Sequence, residues 1–397
     1  MSTLSVDILG VEECKLLVYY VGMKDEKIVF YSALGFFQLV YIIIHVLVFL
    51  FVATFIPAIS GYFKWLLGLC FLILCFSFVP AFFATFDRNT FFSRLVYRTA
   101  AVWSGVIIYV FFFISLASAF QLIFDFVGLS INMSIVAMVF IASALAVCLY
   151  GYFNAATLKI KKLQLKIDNV PDDWKKKKMI FFSDTHFGQI IGGLQANKIV
   201  DKINSMNPDI ILIGGDIFDG SVVNFEDMAK RLGRLKAVHG VYFITGNHEV
   251  YTETRCRLSV IDLLAANNLV CLDGKKIDVN GIDIVGAGYI ESDDKNRFFN
   301  FISKLALAGN KTTVVIKHVP EHIEVAATND IDLMLFGHTH NAQIFPFQFL
   351  PDIIYRGYGY GLKKFGRTHV YTSSGVGTWG PPFRVGTVSE IVEITFV

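Results

Sequence analysis

No two of the six cysteines, at positions 14, 70, 75, 148, 256 and 271, form a CxxC pair. That excludes thiolate zinc knuckles and paired-thiol redox motifs, and the six read as free thiols in a reducing compartment. Charge is nearly missing between residues 29 and 153, so this part cannot present the polar surface of an ordinary soluble domain. The remainder has no low-complexity linker and no internal repeat, which excludes a solenoid or a string of modules on flexible connectors.

Of the 397 residues, 54% are hydrophobic and 39 are phenylalanine. The apolar excess falls in four stretches near 29–51, 65–85, 101–124 and 132–153, each close to the roughly 20 residues that cross a bilayer core. The first, VFYSALGFFQLVYIIIHVLVFLF, is too long for a signal-peptide core and has no small-residue cleavage site after it, so a membrane helix is expected. Basic residues set the orientation. Lys15, Lys24 and Lys27 precede the first stretch, Arg88, Arg94 and Arg98 sit in the middle loop, and Lys159, Lys161, Lys162 and Lys166 follow the fourth. The other two loops hold only Lys64. The expected protein is therefore multi-pass, in a bacterial inner membrane, with a cytoplasmic tail at 1–28, a four-helix transmembrane domain at 29–153 and a cytoplasmic domain at 158–397. Lys175 to Lys178 read as a solvated turn, and His45 as a histidine packed or bonded within its own helix.

After Tyr152 the texture changes to charged residues, glycines and short alternating runs. LKIKKLQLKI alternates as a half-exposed strand would, while MIFFS, IILIG, VYFIT, TVVIK and DLMLF suit strands buried on both faces. Helical spacing between the first several argues for layered α/β packing. Polar residues cluster at the strand ends: Asp184 and His186, Asp216 and Asp219, Asn247 and His248, then His318, and finally His338 and His340. Carboxyl ends of strands form the ligand-binding edge of open α/β sheets, so one shared rim is expected. Imidazole, carboxylate and amide oxygen suit borderline divalent metals such as Mn, Fe or Zn. A pair of such ions needs a bridging carboxylate, for which Asp216 is the natural choice. His239, His322 and His369 lie outside these strand ends and read as surface or structural histidines.

SDTHFG, GGDIFDG, TGNHE, KHVP and FGHTH, in that order over roughly residues 158 to 397, resemble the signature blocks of the calcineurin-like metallophosphoesterases. With LKIKKLQLKI ahead of them and SSGVGTWGPPFRVGTVSEIVEI at the end, the pattern is similar to the membrane-associated YkuE-type branch and to transmembrane metallophosphoesterases. The resemblance implies an α/β fold, a two-layer β-sandwich flanked by helices, carrying two divalent metal ions. It makes Asp184, His186 and His340 ligands of one ion and Asn247, His318 and His338 ligands of the other, with Asp216 shared. It implies a catalytic His248 paired with the carboxylate of Asp219, and attack by a metal-bound hydroxide. Asn341 and Ala342 depart from the two glycines usual in the branch, Glu249 from the commoner Asp, and Ser389 from proline. These departures bear on substrate preference.

Between the last ligand block and the final strands, Phe345, Phe347, Phe349, Leu350, Ile353, Ile354 and Tyr355 crowd together, with Lys363, Lys364 and Arg367 following. Such a cluster reads as a contact surface for a partner, a groove or a membrane rather than a cap on the core. Asn341, Phe345, Phe347 and Phe349 are the candidate substrate contacts. The preferred function is hydrolysis of a lipid-linked phosphate or pyrophosphate, such as a UDP-2,3-diacylglucosamine-type substrate. A tethered phosphoesterase for a soluble mono- or diester and a non-catalytic scaffold are the alternatives. Membrane lipids are the expected partners, and no nucleic acid is expected.

Overall fold

Long apolar runs without a backbone-satisfying alternative become helices in a membrane, because every N–H and C=O must be bonded within the segment. Four described helices are long and apolar enough to cross one. They are Leu34–Phe55 (α1), Tyr62–Thr85, Phe91–Phe126 and Met133–Ala155. The second is two helices, Tyr62–Cys75 (α2) and Phe78–Asp87 (α3). Pro80 supplies no N–H to the Phe76 carbonyl one turn earlier, and the helix breaks there. The computed structural model describes residues 32, 34–56, 61–87, 90–221, 223–256, 258–305, 307 and 309–397. The expected tail at 1–28, with Lys15, Lys24, Lys27 and Cys14, lies outside the described residues, as does Arg88.

The third helix, Phe91–Phe126 (α4), starts ten residues before its expected position at 101. At 1.5 Å per residue its 36 residues span about 54 Å, well beyond a bilayer core of about 30 Å. Arg94 and Arg98, expected in a loop, therefore belong to its first turns. The fourth helix is Met133–Ala155 (α5).

The chain divides into two compact units, Met1–Val79 with Val110–Ile141, and Pro80–Tyr109 with Ala142–Val397. In the first, His45 is buried and its Nδ1 donates to the Tyr41 carbonyl at 2.8 Å. It is bonded to its own helix, as its position inside an apolar run requires.

The second unit contains twelve strands in two sheets. The first sheet takes β1 (Leu158–Leu165), β12 (Ser389–Phe396), β2 (Met179–Phe182), β3 (Ile210–Ile213), β4 (Val241–Phe243) and β5 (Val270–Cys271), in that order. The second takes β10 (Gly361–Phe365), β11 (Thr368–Thr372), β9 (Leu333–Phe336), β8 (Thr312–Lys317), β7 (Ile282–Ala287) and β6 (Lys275–Val279). β2 to β5 run parallel, as do β7, β8, β9 and β11.

Phe181, Leu212, Ile284, Ile316, Leu335 and Val392, all fully buried, fill the layer between the sheets. Each such side chain contributes roughly 1.5–3 kcal/mol relative to exposure. The opposite face of β2 and β3 packs on helices Gly193–Asn204 (α6) and Phe225–Leu232 (α7). The two-layer sandwich flanked by helices is thus present. The single open-sheet rim is not: β2, β3 and β4 end in one sheet and β8 and β9 in the other, so the ligand edge is formed by two sheets.

This unit also includes the first half of α4 and the last half of α5. β1 begins three residues after α5 ends, which leaves no room for a flexible linker. The segment Pro381–Ser389 packs on both helices. A Cβ on Gly105 would lie 2.3 Å from the Phe383 ring and one on Gly151 2.8 Å from Val385, so only glycine permits these approaches. Arg384 N donates to the Gly151 carbonyl at 2.9 Å. Asn154 Nδ2 donates to the carbonyls of Arg384 and Thr387 at 2.9 and 2.8 Å, and Ser389 Oγ to Ala155 at 2.8 Å.

Candidate metal centre

The strand ends bend sharply. Asp184, His186, Asp216, His338 and His340 all have positive φ, between 45° and 71°. Each such residue costs on the order of 1–3 kcal/mol and persists only where its surroundings hold it. Here the main chain does: Asp184 N donates to Gly215 O at 3.0 Å and His186 N to Asp216 O at 3.1 Å. Gly215, with φ 88°, has no space for a side chain, since a Cβ would lie 2.7 Å from Gly246 N and 2.9 Å from His318 Nδ1.

The carboxylates tie the two sheets together. Asp184 accepts from His338 N at 2.9 and 3.1 Å, and Gly337 N donates to His318 O at 3.0 Å. Asp216 Oδ1 accepts from His248 N at 3.0 Å, while its Oδ2 lies 3.0 Å from His318 Nε2 and 3.7 Å from His186 Nε2. His186 Nε2 meets His340 Nε2 at 2.9 Å, and both stand within 4.0 Å of Asp184 Oδ1. His338 Nδ1 is 3.3 Å from His318 Nε2. Donor atoms of Asp184, His186 and His340 lie within 4.8 Å of one another, and so do those of Asp216, His318 and His338. Asn247, at the start of helix Asn247–Cys256 (α8), is buried with no partner for its Oδ1.

Burial sets the charge states. It pushes the imidazoles of His186 and His340 well below their usual range and His338 to about 3, with the neighbouring histidines adding to the effect. Burial also opposes charge on His318, but Asp216 beside it wins and raises it to about 9. Asp184 is pushed up to about 6 by burial and by the charge of Asp216. Neutral imidazoles beside carboxylates, with a buried amide oxygen left unpartnered, are what a divalent cation requires, and cation binding displaces the remaining proton. The donor set fits.

The structure corrects one pairing. His248 Nδ1 donates to the main-chain carbonyl of Asp219 at 3.0 Å, not to its carboxylate. That carboxylate turns back on its own loop, accepting from Ser221 N at 2.8 Å and from Gln189 N at 3.3 Å. It fills the space beside Gly188, where a Cβ would lie 1.6 Å from Asp219 Oδ2. The carbonyl still fixes the tautomer, leaving His248 Nε2 as the exchangeable nitrogen.

Of the candidate substrate contacts, Asn341 is buried next to His340 with φ 48°. Phe345, Phe347 and Phe349 are 47%, 39% and 53% exposed on the segment that follows. Four other residues shape the site beyond the expected set. Glu249, read above only as a departure in type, is fully buried and accepts from the main-chain N–H of Asp216, Ile217, Phe218 and Gly246 at 2.7–3.1 Å. Arg384 is fully buried and donates to the carbonyls of Ser374 and Gly377, both at 2.6 Å, and to His340 O at 3.4 Å. Trp379, half exposed, stands 6.2 Å from the His248 ring, with Tyr251 at 5.8 Å on the same histidine. A lone arginine and tryptophan in the Gly- and Pro-rich GVGTWGPPFRVG was the available signal. His239, His322 and His369 take no part in the cluster.

Residues 177–342 match the family described as Calcineurin-like phosphoesterase. An uncharacterized metallophosphoesterase of Campylobacter jejuni is 32% identical over 250 residues, covering 62% of this chain and 65% of that protein. One from Helicobacter pylori strain 26695 is 33% identical over 256 residues, covering 62% of this chain and 67% of the relative. This chain thus spans about two thirds of their length. A zebrafish (Danio rerio) protein described as a transmembrane protein with metallophosphoesterase domain is 29% identical over 284 residues, covering 67% of this chain and 63% of that one.

Proposed function

The chain belongs to the calcineurin-like metallophosphoesterases and is a metal-dependent phosphoester hydrolase of the membrane; from that premise we propose that its substrate is a lipid-linked phosphate or pyrophosphate met at the cytoplasmic surface. One observation carries this reading. The loop that holds His340 runs without interruption into the exposed apolar segment Phe345–Ile354, which is bonded to the Pro381–Ser389 loop packed on α5. Phe345 N and Gln348 Nε2 both donate to Val385 O, at 3.0 and 2.9 Å, and Val385 abuts Gly151. An apolar surface anchored to a membrane helix and leading to the ligand loop suits acyl chains better than a soluble ester.

In this reading Asp184, His186 and His340 would hold one divalent ion and Asn247, His318 and His338 the second, with Asp216 available to both. Mn, Fe or Zn, when bound, would polarise the phosphoryl oxygen and lower the pKa of water. The protein's own part is positional. Glu249 holds the loop that carries Asp216, His248 Nε2 exchanges a proton with the leaving oxygen, and Trp379 and Tyr251 flank that histidine. A nucleotide-diphospho-lipid of the UDP-2,3-diacylglucosamine type is the first substrate to test.

Full-length protein in detergent, supplied with manganese and a panel of phospholipids, nucleotide-diphospho-lipids and soluble esters, should release product fastest from a lipid, followed by mass spectrometry. Turnover of soluble esters alone would overturn the reading. For topology, a reporter fused after Val397 should behave as cytoplasmic and one near Gly128 as external. Alkaline phosphatase activity from the Val397 fusion would reverse that orientation.

A further inference from the structure

Arg98 stands on the wall of two cavities. The first, about 310 Å³, is lined by Val102 of α4, by Tyr152, Ala155 and Ala156 at the end of α5, and by Ile190, Ile191 and Pro382 of the globular part. The second, about 350 Å³, adds Arg94, Asn224, Asp227 and Arg231. Arg231 and Asp227 pair at 2.8 Å and cancel, leaving Arg94 and Arg98 to set a positive field there. Volumes of this size accept small ligands or part of a larger one.

The apolar cavity shares a wall with a second space nearer the metal centre. Ile190 and Thr378 line it and also line a small cavity shared with Asp219, Ser221 and Trp379, beside His248. That inner cavity is closed by Phe82, Thr85 and Tyr97 from α3 and α4, and Thr85 and Tyr97 are buried. Arg98 itself is pinned, its Nε donating to Gln189 O at 2.6 Å, and Gln189 N donates to Asp219. Apolar walls supplied by two membrane helices therefore meet arginines in the turns by which α4 outruns the bilayer core. Basic side chains at helix ends lie at the level of lipid phosphates.

We propose that this groove is the lateral entry for the substrate: a phosphate-bearing lipid passes from the cytoplasmic leaflet between the ends of α4 and α5, its acyl chain along Val102 and Tyr152 and its phosphate on Arg94 and Arg98. The proposal rests on the lipid-substrate reading above and assigns that lipid's route.

The test uses dioleoyl phosphatidate in mixed micelles as a competitor of bis(p-nitrophenyl) phosphate hydrolysis by the full chain, so that it does not depend on which lipid is cleaved. Wild type should be inhibited by the dioleoyl lipid and far less by dihexanoyl phosphatidate. Val102→Trp, which fills the groove from α4, and Arg98→Gln should each raise the inhibition constant at least tenfold. Arg98→Lys, which keeps the charge, should stay within threefold of wild type. Elemental analysis should find metal content unchanged in all three. Absence of competition in wild type would sink the lipid reading itself. Competition that persists unchanged in Val102→Trp and Arg98→Gln would overturn the groove while leaving that reading standing. Arg98→Lys behaving like Arg98→Gln would overturn the role of charge.

Discussion

The ligand loops and the apolar segment Phe345–Ile354 of the same unit are built on opposite terms. At the loops, Asp184, His186, Asp216 and His318 are at most 2% exposed, five residues sit at positive φ, and carboxylates and main-chain bonds hold each in place. From Phe345 to Ile354, large apolar side chains stay open, with Ile353 and Ile354 68% and 63% exposed. Rigidity is where strain has to be held and where metals need a fixed donor set. Exposed apolar surface is where an apolar partner has to be reached. Under the proposed lipid reading the first set serves the reaction and the second serves delivery, a division that can be attacked at either end.

The largest effect is expected at the bridge. Asp216→Asn should lower turnover on every substrate on the order of a thousandfold, about 4 kcal/mol, and lower metal content with it. Elemental analysis finding two metals retained at wild-type activity would remove Asp216 from the centre. His248→Asn should cost roughly 10²–10⁴-fold with metal retained, so that kinetics and metal content part company. Loss of metal in that variant would make His248 a ligand instead.

On the delivery side the effect should be smaller and selective. Phe345, Phe347 and Phe349 changed together to Ser should lower the ratio of kcat/KM for a long-chain lipid ester to that for p-nitrophenyl phosphate at least roughly tenfold, about 1.4 kcal/mol. An unchanged ratio would mean the segment supports the fold. The smallest effect is expected from Asp219→Asn, because the bond to His248 comes from the main-chain carbonyl and the amide oxygen can still accept from Ser221 N, so that only the longer 3.3 Å bond from Gln189 N is given up. Turnover should fall by less than about tenfold. A loss equal to that of His248→Asn would restore the carboxylate–imidazole pair.

What the sequence determined by itself was whatever depends on local pattern. Apolar length marked the four helices, because a bilayer core sets a minimum span. Short apolar runs ending in Asp, His and Asn marked β2, β3, β4, β8 and β9 and the residues at their ends, because strand ends deliver side chains to an edge whatever the sheet does next. Other features were settled only by long-range packing. Which strands share a sheet depends on pairings such as β1 with β12, whose partners are more than 200 residues apart. The start of α4 at Phe91 was hidden because two arginines read as loop until the globular domain supplied Gln189 as a partner for one of them. Arg384 and Glu249 stand out locally only as a lone arginine and a departure in type; their role was hidden, since it is to satisfy main-chain groups of loops brought beside them only by the fold. The turn of the Asp219 carboxylate away from His248 was likewise a tertiary decision: the space it fills exists because Gly188, from a different strand end, leaves it empty.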